Sequence, residues 1–362
     1  MNKILSIIVP SYNMEAYLPK CLGSLVIDDK ELLQKLDVIV VNDGSKDRTS
    51  EIAHDFEAKH PGVFRVIDKT NGHYGSCINA ALPVAAGTFV KVLDADDWFV
   101  TENFCGFLAL VDAECRKGAN GADLILSGWE EGGGDSDGNA TAFSYTYLIG
   151  EDKTIADIEF PDAHQNHRFE MFAVTYRTTI LRDIKYRQPE GIIHTDIIWI
   201  NLPMAHVHSF TVFDKVVYHY FSGRPGNTCN EEAFYRTYHV QMDMLKRMIL
   251  EFNGVCADLP APNAAFMRKH IRYRTFRAYW LNIIERHPLL AMCDLKGFDD
   301  FLHENAPWLY EEMGHLRISR RFPYRFICDW RKRQRMSCSL KLRLGMALGL
   351  LRAYSRIRKS FS

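Results

Sequence analysis

The sequence predicts an α/β protein in which helices cover both faces of a mostly parallel sheet and a mainly helical C-terminal region follows. Through the first hundred residues, short apolar runs alternate with segments of helical periodicity. This alternation is typical of parallel strands buried on both faces. Polar residues follow several of the apolar runs, and beyond residue 231 the periodicity is mostly helical.

The order of runs gives the individual elements. The strand-forming runs are short and rich in Val, Ile, Leu and Phe, the residues favoured in buried strands. They lie at residues 4–9, 37–41, 64–67, 89–93 and 124–127. The helical segments repeat apolar residues every three or four positions. They lie at residues 14–25, 49–59, 76–86, 234–252 and 266–285, and residues 180–219 carry mixed elements.

Composition excludes several classes of protein. The chain has 362 residues, room for about two domains, with 47% hydrophobic and 25% charged residues, as in ordinary globular proteins. It contains no apolar run of about 18 residues, so no transmembrane helix is predicted. The first residues lack a signal-peptide pattern, and the nine cysteines form no Cys-x-x-Cys pair. These features predict a cytoplasmic protein without a zinc ribbon or a disulfide framework.

Charge is distributed unevenly along the chain. From residue 317 onward there are 14 Lys or Arg and one acid, whereas the preceding residues hold 30 basic and 44 acidic residues. Within residues 340–359, leucines share one helical face and most basic residues the other, which predicts an in-plane binder of an anionic membrane surface. The alternative is that this face packs on the protein itself or on a second subunit of a homodimer. No base-reading motif accompanies the charge, so no nucleic-acid partner is expected.

Three aspartates stand where the strand at residues 89–93 should end. Asp94, Asp96 and Asp97 would repel one another, and a divalent cation would convert this repulsion into coordination. Oxygen ligands suit Mn²⁺ or Mg²⁺. The alternative is a turn that caps the following helix, and Asp97 is predicted to be the structural carboxylate that provides this cap.

Two other polar segments follow predicted strands. Asp43 precedes Gly44, which can adopt an unusual backbone angle, and its carboxylate could bind a base or a ribose hydroxyl or could cap the next helix. The turn at residues 71–76 contains two glycines and leads into a helix, so it is either a ligand-approaching loop or a plain one. Because the carboxyl ends of parallel strands share one edge, residues 11–13, 42–45 and 94–97, which follow the first, second and fourth strands, are predicted to converge there.

The ordered motifs resemble the nucleotide-sugar domain of family 2 glycosyltransferases, which have the GT-A fold with a Rossmann-like sheet. The motifs are Ile-Ile-Val-Pro-Ser-Tyr-Asn (7–13), Val-Val-Asn-Asp-Gly-Ser (40–45), Asn-Gly-x-x-Gly-Ser-x-x-Asn (71–79) and Val-Leu-Asp-Ala-Asp-Asp (92–97). The resemblance implies that Asp43 reads the base, commonly uracil, that Asp94 faces the ribose, and that Asp96 binds the metal bridging the diphosphate. It further implies donor-site positions at Pro10, Tyr12, Asn13, Asn71, Gly72, Gly75, Ser76 and Ala95.

The resemblance continues into residues 189–199. There the family usually has Glu-Asp before apolar residues, and the Asp is the catalytic base of inverting members. That residue is Asp196, which could instead cap a helix; Thr195 stands in place of the Glu. Arg224 and Thr228 resemble a family loop that contacts the diphosphate, although Arg224 could also be a solvated loop residue. Ile78 stands where many members have Arg, so Arg224, the metal or Lys69 would have to contact phosphate.

The predicted function is inverting transfer of a sugar from a nucleotide-diphosphate sugar, UDP-linked in the first instance, to a hydroxyl of a glycan or lipid-linked acceptor in cell-surface polysaccharide synthesis. The alternatives are a nucleotidyltransferase and a non-catalytic binding protein on a transferase fold. The predicted domains are a catalytic domain at residues 1–228, a helical region at residues 229–316 and a basic amphipathic tail at residues 317–362. The protein is predicted to be cytoplasmic and peripheral on the inner face of the plasma membrane.

Overall fold

The fold is built on one mixed sheet, seen in a computed structural model that describes residues 2–133, 140–160, 169–222, 231–317 and 324–333. In these ranges the strands are β1 (Leu5–Ser11), β2 (Leu36–Asn42), β3 (Phe64–Asp68), β4 (Phe89–Val92), β5 (Trp98–Phe99), β6 (Leu124–Gly132), β7 (Thr141–Phe143), β8 (Val174–Arg177) and β9 (Phe210–Phe221). They lie in the order β3-β2-β1-β4-β8-β6-β9-β5, and β7 pairs with β6.

Strands β1 to β4 form the parallel half of the sheet. All residues of β1, β2 and β4 are buried, as expected when helices cover both faces. Strand β8 enters antiparallel between β4 and β6, and β9 runs parallel to β6. The predicted α/β class with a mostly parallel sheet is therefore confirmed, while the antiparallel insertion was not predicted.

Helices alternate with the first strands and dominate the C-terminal part of the chain. They are α1 (Leu18–Gly23), α2 (Lys30–Gln34), α3 (Thr49–Lys59), α4 (His73–Ala81), α5 (Thr101–Arg116), α6 (Thr178–Asp183), α7 (Asp196–Trp199), α8 (Glu231–Val255), α9 (Ala261–Tyr279), α10 (Leu295–Asn305), α11 (Pro307–His315) and α12 (Phe326–Arg333). A π-helical turn, Trp280–Glu285, follows α9. No helix of the described ranges is both long and apolar enough to span a membrane.

Helix boundaries differ from the predictions where proline or a turn intervenes. The prediction for α3 at residues 49–59 is confirmed. Helix α1 is shorter than predicted because residues 14–17 form a turn and Pro19 lies in its first turn. Helix α4 begins three residues earlier than predicted and passes at Pro83 into a 3-10 turn, Leu82–Val84.

The chain divides into two compact units. One consists of Met1–Asn230 with Glu251–His270, and the other of Glu231–Leu250 with Ile271–Ser362. The first unit contains the sheet. The end of α8 and the start of α9 also belong to it, so the helical region does not form one separate block of sequence.

Helix α12 shows how the first part of the basic segment packs inside the second unit. Phe326 and Ile327 are fully buried. Arg331 donates to the Asp299 carboxylate at 2.8 Å and to the Tyr310 carbonyl at 2.8 Å, and its guanidinium lies 3.5 Å from the Tyr310 ring centre. This part of the segment therefore packs on the protein. The predicted amphipathic helix at residues 340–359 lies outside the described residues.

Strand β4 carries a lysine, Lys91, that is completely buried. Its ammonium donates hydrogen bonds to the carbonyls of Phe172 at 2.6 Å and Val174 at 3.3 Å. Both acceptors are neutral, so burial lowers the pKa of Lys91 to about 7. The side chain thus loses its proton far below the pKa near 10.5 that it has in the unfolded chain.

This buried lysine makes the folding stability depend on pH. Between pH 7 and 10.5 the unfolded chain holds the Lys91 proton and the folded chain does not, so the free energy of unfolding rises with pH. We expect about 2 kcal/mol from this group between pH 7 and 9. Urea unfolding at both values should show this rise in the wild type relative to Lys91→Met. Equal pH dependence of the two proteins would contradict the shifted pKa.

Candidate active site

The carboxyl ends of the parallel strands place polar residues along one edge of the sheet. Ser11 pairs with Asn42, which pairs with Asp68, so these three residues form a row across β1, β2 and β3. The Leu93 amide donates to the Ile8 carbonyl at 2.9 Å, which directs the chain after β4 to the same edge. The predicted convergence of strand ends is therefore confirmed.

Asp43 follows β2 and is nearly fully buried at this edge. Its Oδ1 atom accepts hydrogen bonds from the Lys69 ammonium at 2.6 Å and the Gly72 amide at 3.0 Å. The Asn71 side chain donates to its main-chain carbonyl at 3.0 Å, and Gly44 takes a φ of +74° in the turn. Asp43 therefore holds the start of α4 and does not cap α3.

Lys69 was a candidate phosphate ligand. Its ammonium contacts the carboxylate of Asp43, the carbonyl of Thr70 at 2.6 Å and the hydroxyl of Ser76 at 2.8 Å. Because an ammonium has three N–H donors, these contacts satisfy it. The Lys69 ammonium forms an ion pair with Asp43. The geometry therefore does not favour Lys69 as the group that contacts the diphosphate.

The loop after β1 exposes one aromatic ring. Pro10 is buried in β1, whereas Tyr12 is 44% exposed. Asn13 has a φ of +53°; its amide donates to the Ser45 hydroxyl at 3.0 Å, and its side-chain oxygen accepts from the Lys46 amide at 2.8 Å. Asn13 therefore joins the loops after β1 and β2, and Tyr12 provides the flat surface on which a base could stack.

Gly75 and Ser76 of α4 make internal contacts. A Cβ atom on Gly75 would lie 1.8 Å from the Pro189 carbonyl oxygen, so only glycine allows this approach. Ser76 is buried and donates to the His73 carbonyl at 2.7 Å. These two residues shape the site through the packing of α4, and their predicted contact with the donor stays a prediction.

The three aspartates after β4 have different surroundings. Asp97 is 1% exposed and accepts hydrogen bonds from the Tyr218 hydroxyl at 2.5 Å and the Phe221 amide at 2.8 Å. Burial, followed by the charges of Asp96 and Asp94, raises the pKa of Asp97 well above its usual value. Asp97 ties β9 to this loop.

The prediction that Asp97 caps the following helix is wrong. Helix α5 begins after Val100, and no side chain caps it. The Asp97 side chain is already engaged by β9, which the sequence did not reveal as its partner.

Asp94 and Asp96 are both half-buried, on either side of the buried Ala95. The Tyr74 hydroxyl donates to Asp94 Oδ1 at 2.9 Å. After the effect of burial, the charges of all three aspartates raise the pKa of the Cys21 thiol, so the loop has a negative field. No group of three His, Cys, Asp or Glu side chains in the described ranges is arranged to hold a metal. Two carboxylates nevertheless fit Mg²⁺ or Mn²⁺, which keep water and substrate phosphate as ligands.

Asp196 is the half-buried first residue of α7. Thr195 occupies the N-cap position, and no side-chain hydrogen bond caps this helix, so the capping alternative finds no support. Thr195 is itself 1% exposed. The position at which the family commonly has Glu is therefore an interior one here.

Tyr74 lies within the electrostatic reach of both Asp94 and Asp196. Burial is the largest cause that raises the pKa of its hydroxyl, and the charges of these two carboxylates raise it further. The structure thus brings the predicted ribose-facing carboxylate and the predicted base to the surroundings of one side chain. Sequence reasoning missed Tyr74, because its only signal was an aromatic residue inside a glycine-containing turn.

Arg224 and Thr228 lie outside the described residues, so their predicted contact with the diphosphate stays a prediction. Within the described ranges, the other predicted positions lie at the end of β1, on the loops after β1, β2 and β4, at the start of α4 and at the start of α7.

The sheet, its polar edge and the ordered motifs define a GT-A-type glycosyltransferase domain. Residues 6–124 match the family described as Glycosyl transferase family 2. The predicted resemblance is confirmed over this part of the chain.

Curated relatives are similar to this chain over part of its length. The uncharacterized glycosyltransferase EpsJ of Bacillus subtilis is 38% identical over 104 residues, 29% of this chain and 29% of that protein. Chondroitin synthase of Pasteurella multocida is 35% identical over 95 residues, 26% of this chain and 9% of that protein. The matched part thus spans less than a third of either relative.

The fold likeness extends further. The crystal structure of S. aureus TarS residues 1–349 in complex with UDP-GlcNAc aligns with a TM-score of 0.58 at 20% identity, covering 84% of this chain and 82% of that one. At this identity the likeness shows the fold alone. The curated relatives EpsJ and chondroitin synthase are named as a glycosyltransferase and a synthase, and neither is a nucleotidyltransferase. The nucleotidyltransferase alternative is therefore not retained.

Proposed function

We propose that the protein is an inverting glycosyltransferase that uses a UDP-sugar and a glycan or lipid-linked hydroxyl acceptor in polysaccharide synthesis. The observation that supports this proposal is that the Tyr74 hydroxyl donates to Asp94, which follows β4, while the charge of Asp196 also acts on this hydroxyl. A pair of separated carboxylates can serve a donor on one side and an acceptor hydroxyl on the other.

The donor site uses the loops after β1, β2 and β4. Tyr12 stacks on the base, and Asp43 reads it from its fixed, buried position beside Lys69. Asp94 binds the ribose. We propose UDP as the nucleotide because the aligned TarS structure contains UDP-GlcNAc. A screen of nucleotide sugars would identify the sugar.

Asp96 would hold Mn²⁺ or Mg²⁺ next to the diphosphate, while the neighbouring Asp94 faces the ribose. A divalent ion bound there would neutralise the negative charge that develops on the leaving diphosphate. The role of the chain is to present two half-buried carboxylates on a loop that Asp97, Tyr218 and Tyr74 fix in place.

Asp196 acts as general base. It accepts the proton of the acceptor hydroxyl while that oxygen attacks the anomeric carbon, on the face opposite to the departing UDP, and the anomeric configuration inverts. The absence of a side-chain cap on α7 leaves its carboxylate uncommitted to the helix terminus. A positioned base of this kind contributes about 10²- to 10⁴-fold to a rate.

A donor screen tests the proposal. Thermal unfolding is followed with UDP-, GDP- and dTDP-linked sugars, each with and without Mn²⁺. A ligand that binds only the folded protein at about 100 times its Kd stabilises it by about 2.7 kcal/mol. We expect a UDP-sugar to give the largest Mn²⁺-dependent rise in Tm. An equal response to all nucleotides, or none, would contradict the donor assignment.

For the acceptor side, an anionic membrane surface is the partner we propose for the basic segment at residues 317–362, with a homodimer as the alternative. Arg331 is excluded from this role because Asp299 and Tyr310 engage it. The membrane contact would then rest on residues beyond α12 and would hold the enzyme near a lipid-linked acceptor.

A further inference from the structure

The segment that leads to Asp196 is fastened to α4 by one side chain, Asn79. Its Oδ1 atom accepts a hydrogen bond from the Gln188 amide at 2.8 Å, and its Nδ2 donates to the Gln188 carbonyl at 2.9 Å. Nδ2 also donates to the Glu190 carboxylate at 2.6 Å. Asn79 thus pairs with both main-chain groups of Gln188 as a neighbouring strand would.

Backbone contacts add to this attachment. The Gly191 amide donates to the Gly72 carbonyl at 3.2 Å, and Gly75 allows the Pro189 carbonyl to approach the helix backbone. Helix α4 and its N-cap residue therefore contact residues 188–191 at three places, namely Gly72, Gly75 and Asn79.

The side chain of Gln188 continues the connection toward the predicted base. Gln188 is 3% exposed, and its Nε2 donates to the Thr195 carbonyl at 2.5 Å. Thr195 directly precedes Asp196 and is itself buried. The position of the Asp196 backbone is consequently fixed by a chain of hydrogen bonds that starts at Asn79.

The N-terminal end of α4 also contacts carboxylates of the proposed donor site. The Gly72 amide, at the N-cap of this helix, donates to Asp43, and Tyr74 in its first turn donates to Asp94. One nine-residue helix therefore contacts the two carboxylates assigned to the nucleotide and also carries the attachment of the base segment.

We propose that Asn79 is a positioning residue of the transfer step, which sets the place of Asp196 relative to the bound donor through Gln188 and Thr195. This inference rests on the proposed function, since it assigns Asn79 to the base named there. Asn79 itself touches neither reactant. A misplacement of about 1 Å can cost about 100-fold in rate, so loss of this attachment affects kcat far more than donor binding.

The first test is Asn79→Ala. We expect kcat for UDP release from the donor found in the screen to fall about 10- to 100-fold, while the Kd for UDP with Mn²⁺ changes less than about threefold. Asn79→Asp keeps the volume but loses both N–H donors, so the same result is expected. The control is Asn263→Ala, since Asn263 is a buried asparagine that binds the carbonyls of Met204, Ala205 and Val207. It should lower Tm without changing kcat.

A double-mutant cycle separates positioning from general destabilisation. If Asn79 acts through Asp196, then Asn79→Ala lowers the residual rate of Asp196→Asn less than about twofold, although it lowers the wild-type rate at least tenfold. The same factor in both backgrounds, or an unchanged kcat in the single variant, would overturn the proposal.

Hydrogen exchange distinguishes failure of this inference from failure of the proposed function. UDP with Mn²⁺ should slow amide exchange in residues 188–200 of the wild type, and Asn79→Ala should remove that protection. Equal protection in both proteins would contradict the attachment. Full activity of Asp196→Asn, together with lost protection in Asn79→Ala, would reject Asp196 as base while retaining the coupling between α4 and this segment.

Discussion

Replacement of Asp196 by Asn is expected to leave UDP binding and folding intact and to lower the transfer rate by about 10²- to 10⁴-fold. The substitution keeps the shape of the side chain and removes its capacity to accept a proton. Removing a carboxylate from the first turn of α7 costs at most about 1 kcal/mol through the helix dipole, so the fold is retained. The measurement combines UDP release, calorimetric titration with UDP and Mn²⁺, and thermal unfolding.

Asp183→Asn is the matched control for this prediction. Asp183 is an exposed aspartate at the end of α6, so its substitution should change neither rate nor binding. If Asp196→Asn retained the wild-type rate, the assignment of the base would be wrong. If it lost UDP binding in proportion to its rate, Asp196 would belong to the donor site.

Asp96→Ala is expected to abolish the metal dependence of UDP binding. The substitution removes one of the two half-buried carboxylates that fit a divalent ion and leaves Asp97 to hold β9. We expect Mn²⁺ to strengthen UDP binding by the wild type at least about tenfold, or 1.4 kcal/mol, and to have no such effect on the variant. Calorimetric titration with UDP, with and without Mn²⁺, measures both values.

The control for Asp96 is Asp55→Ala, which removes an exposed carboxylate of α3 and should preserve the Mn²⁺ effect. Metal-dependent UDP binding that survives in Asp96→Ala would place the ion elsewhere. Thermal unfolding accompanies the titration, since a lower Tm without UDP would indicate that the loop itself had lost its structure.

Local sequence patterns were sufficient for the parallel half of the fold. Strands β1 and β2 are buried along their whole length, so their apolar runs are continuous and easy to recognise. Their polar ends then had to meet at one edge, and Ser11 and Asn42 do pair there. Helix α3 has its apolar residues at helical spacing and ends where predicted.

Features set by distant partners were not predictable in this way. Strand β8 pairs with β4 and β6 through contacts far apart in sequence, and its four residues carry no distinctive pattern. Lys91 interrupts an apolar run, yet it lies in the core because two carbonyls accept hydrogen bonds from its side chain. The requirement for glycine at position 75 also depends on a distant partner, since Pro189, more than a hundred residues away in sequence, packs against it.

In the candidate site, too, some residues were predictable from the local sequence and others depend on distant partners. The residue types of Asp43, Asp94 and Asp96 indicated ligand chemistry directly. The side chains that orient them, Tyr74 and Lys69, act through hydrogen bonds that no spacing encodes. A tyrosine or lysine in a loop is common, so its function follows only from the partner that the fold supplies.

The most direct test of the account is the anomeric configuration of the sugar first released from the UDP-α-sugar selected by the screen. Time-resolved proton NMR, recorded before mutarotation, follows the slow transfer to water that a glycosyltransferase performs without an acceptor. In-line attack by an oxygen that Asp196 deprotonates predicts that the β-anomer appears first in the presence of Mn²⁺. Initial release of the α-anomer would contradict inversion and the role assigned to Asp196.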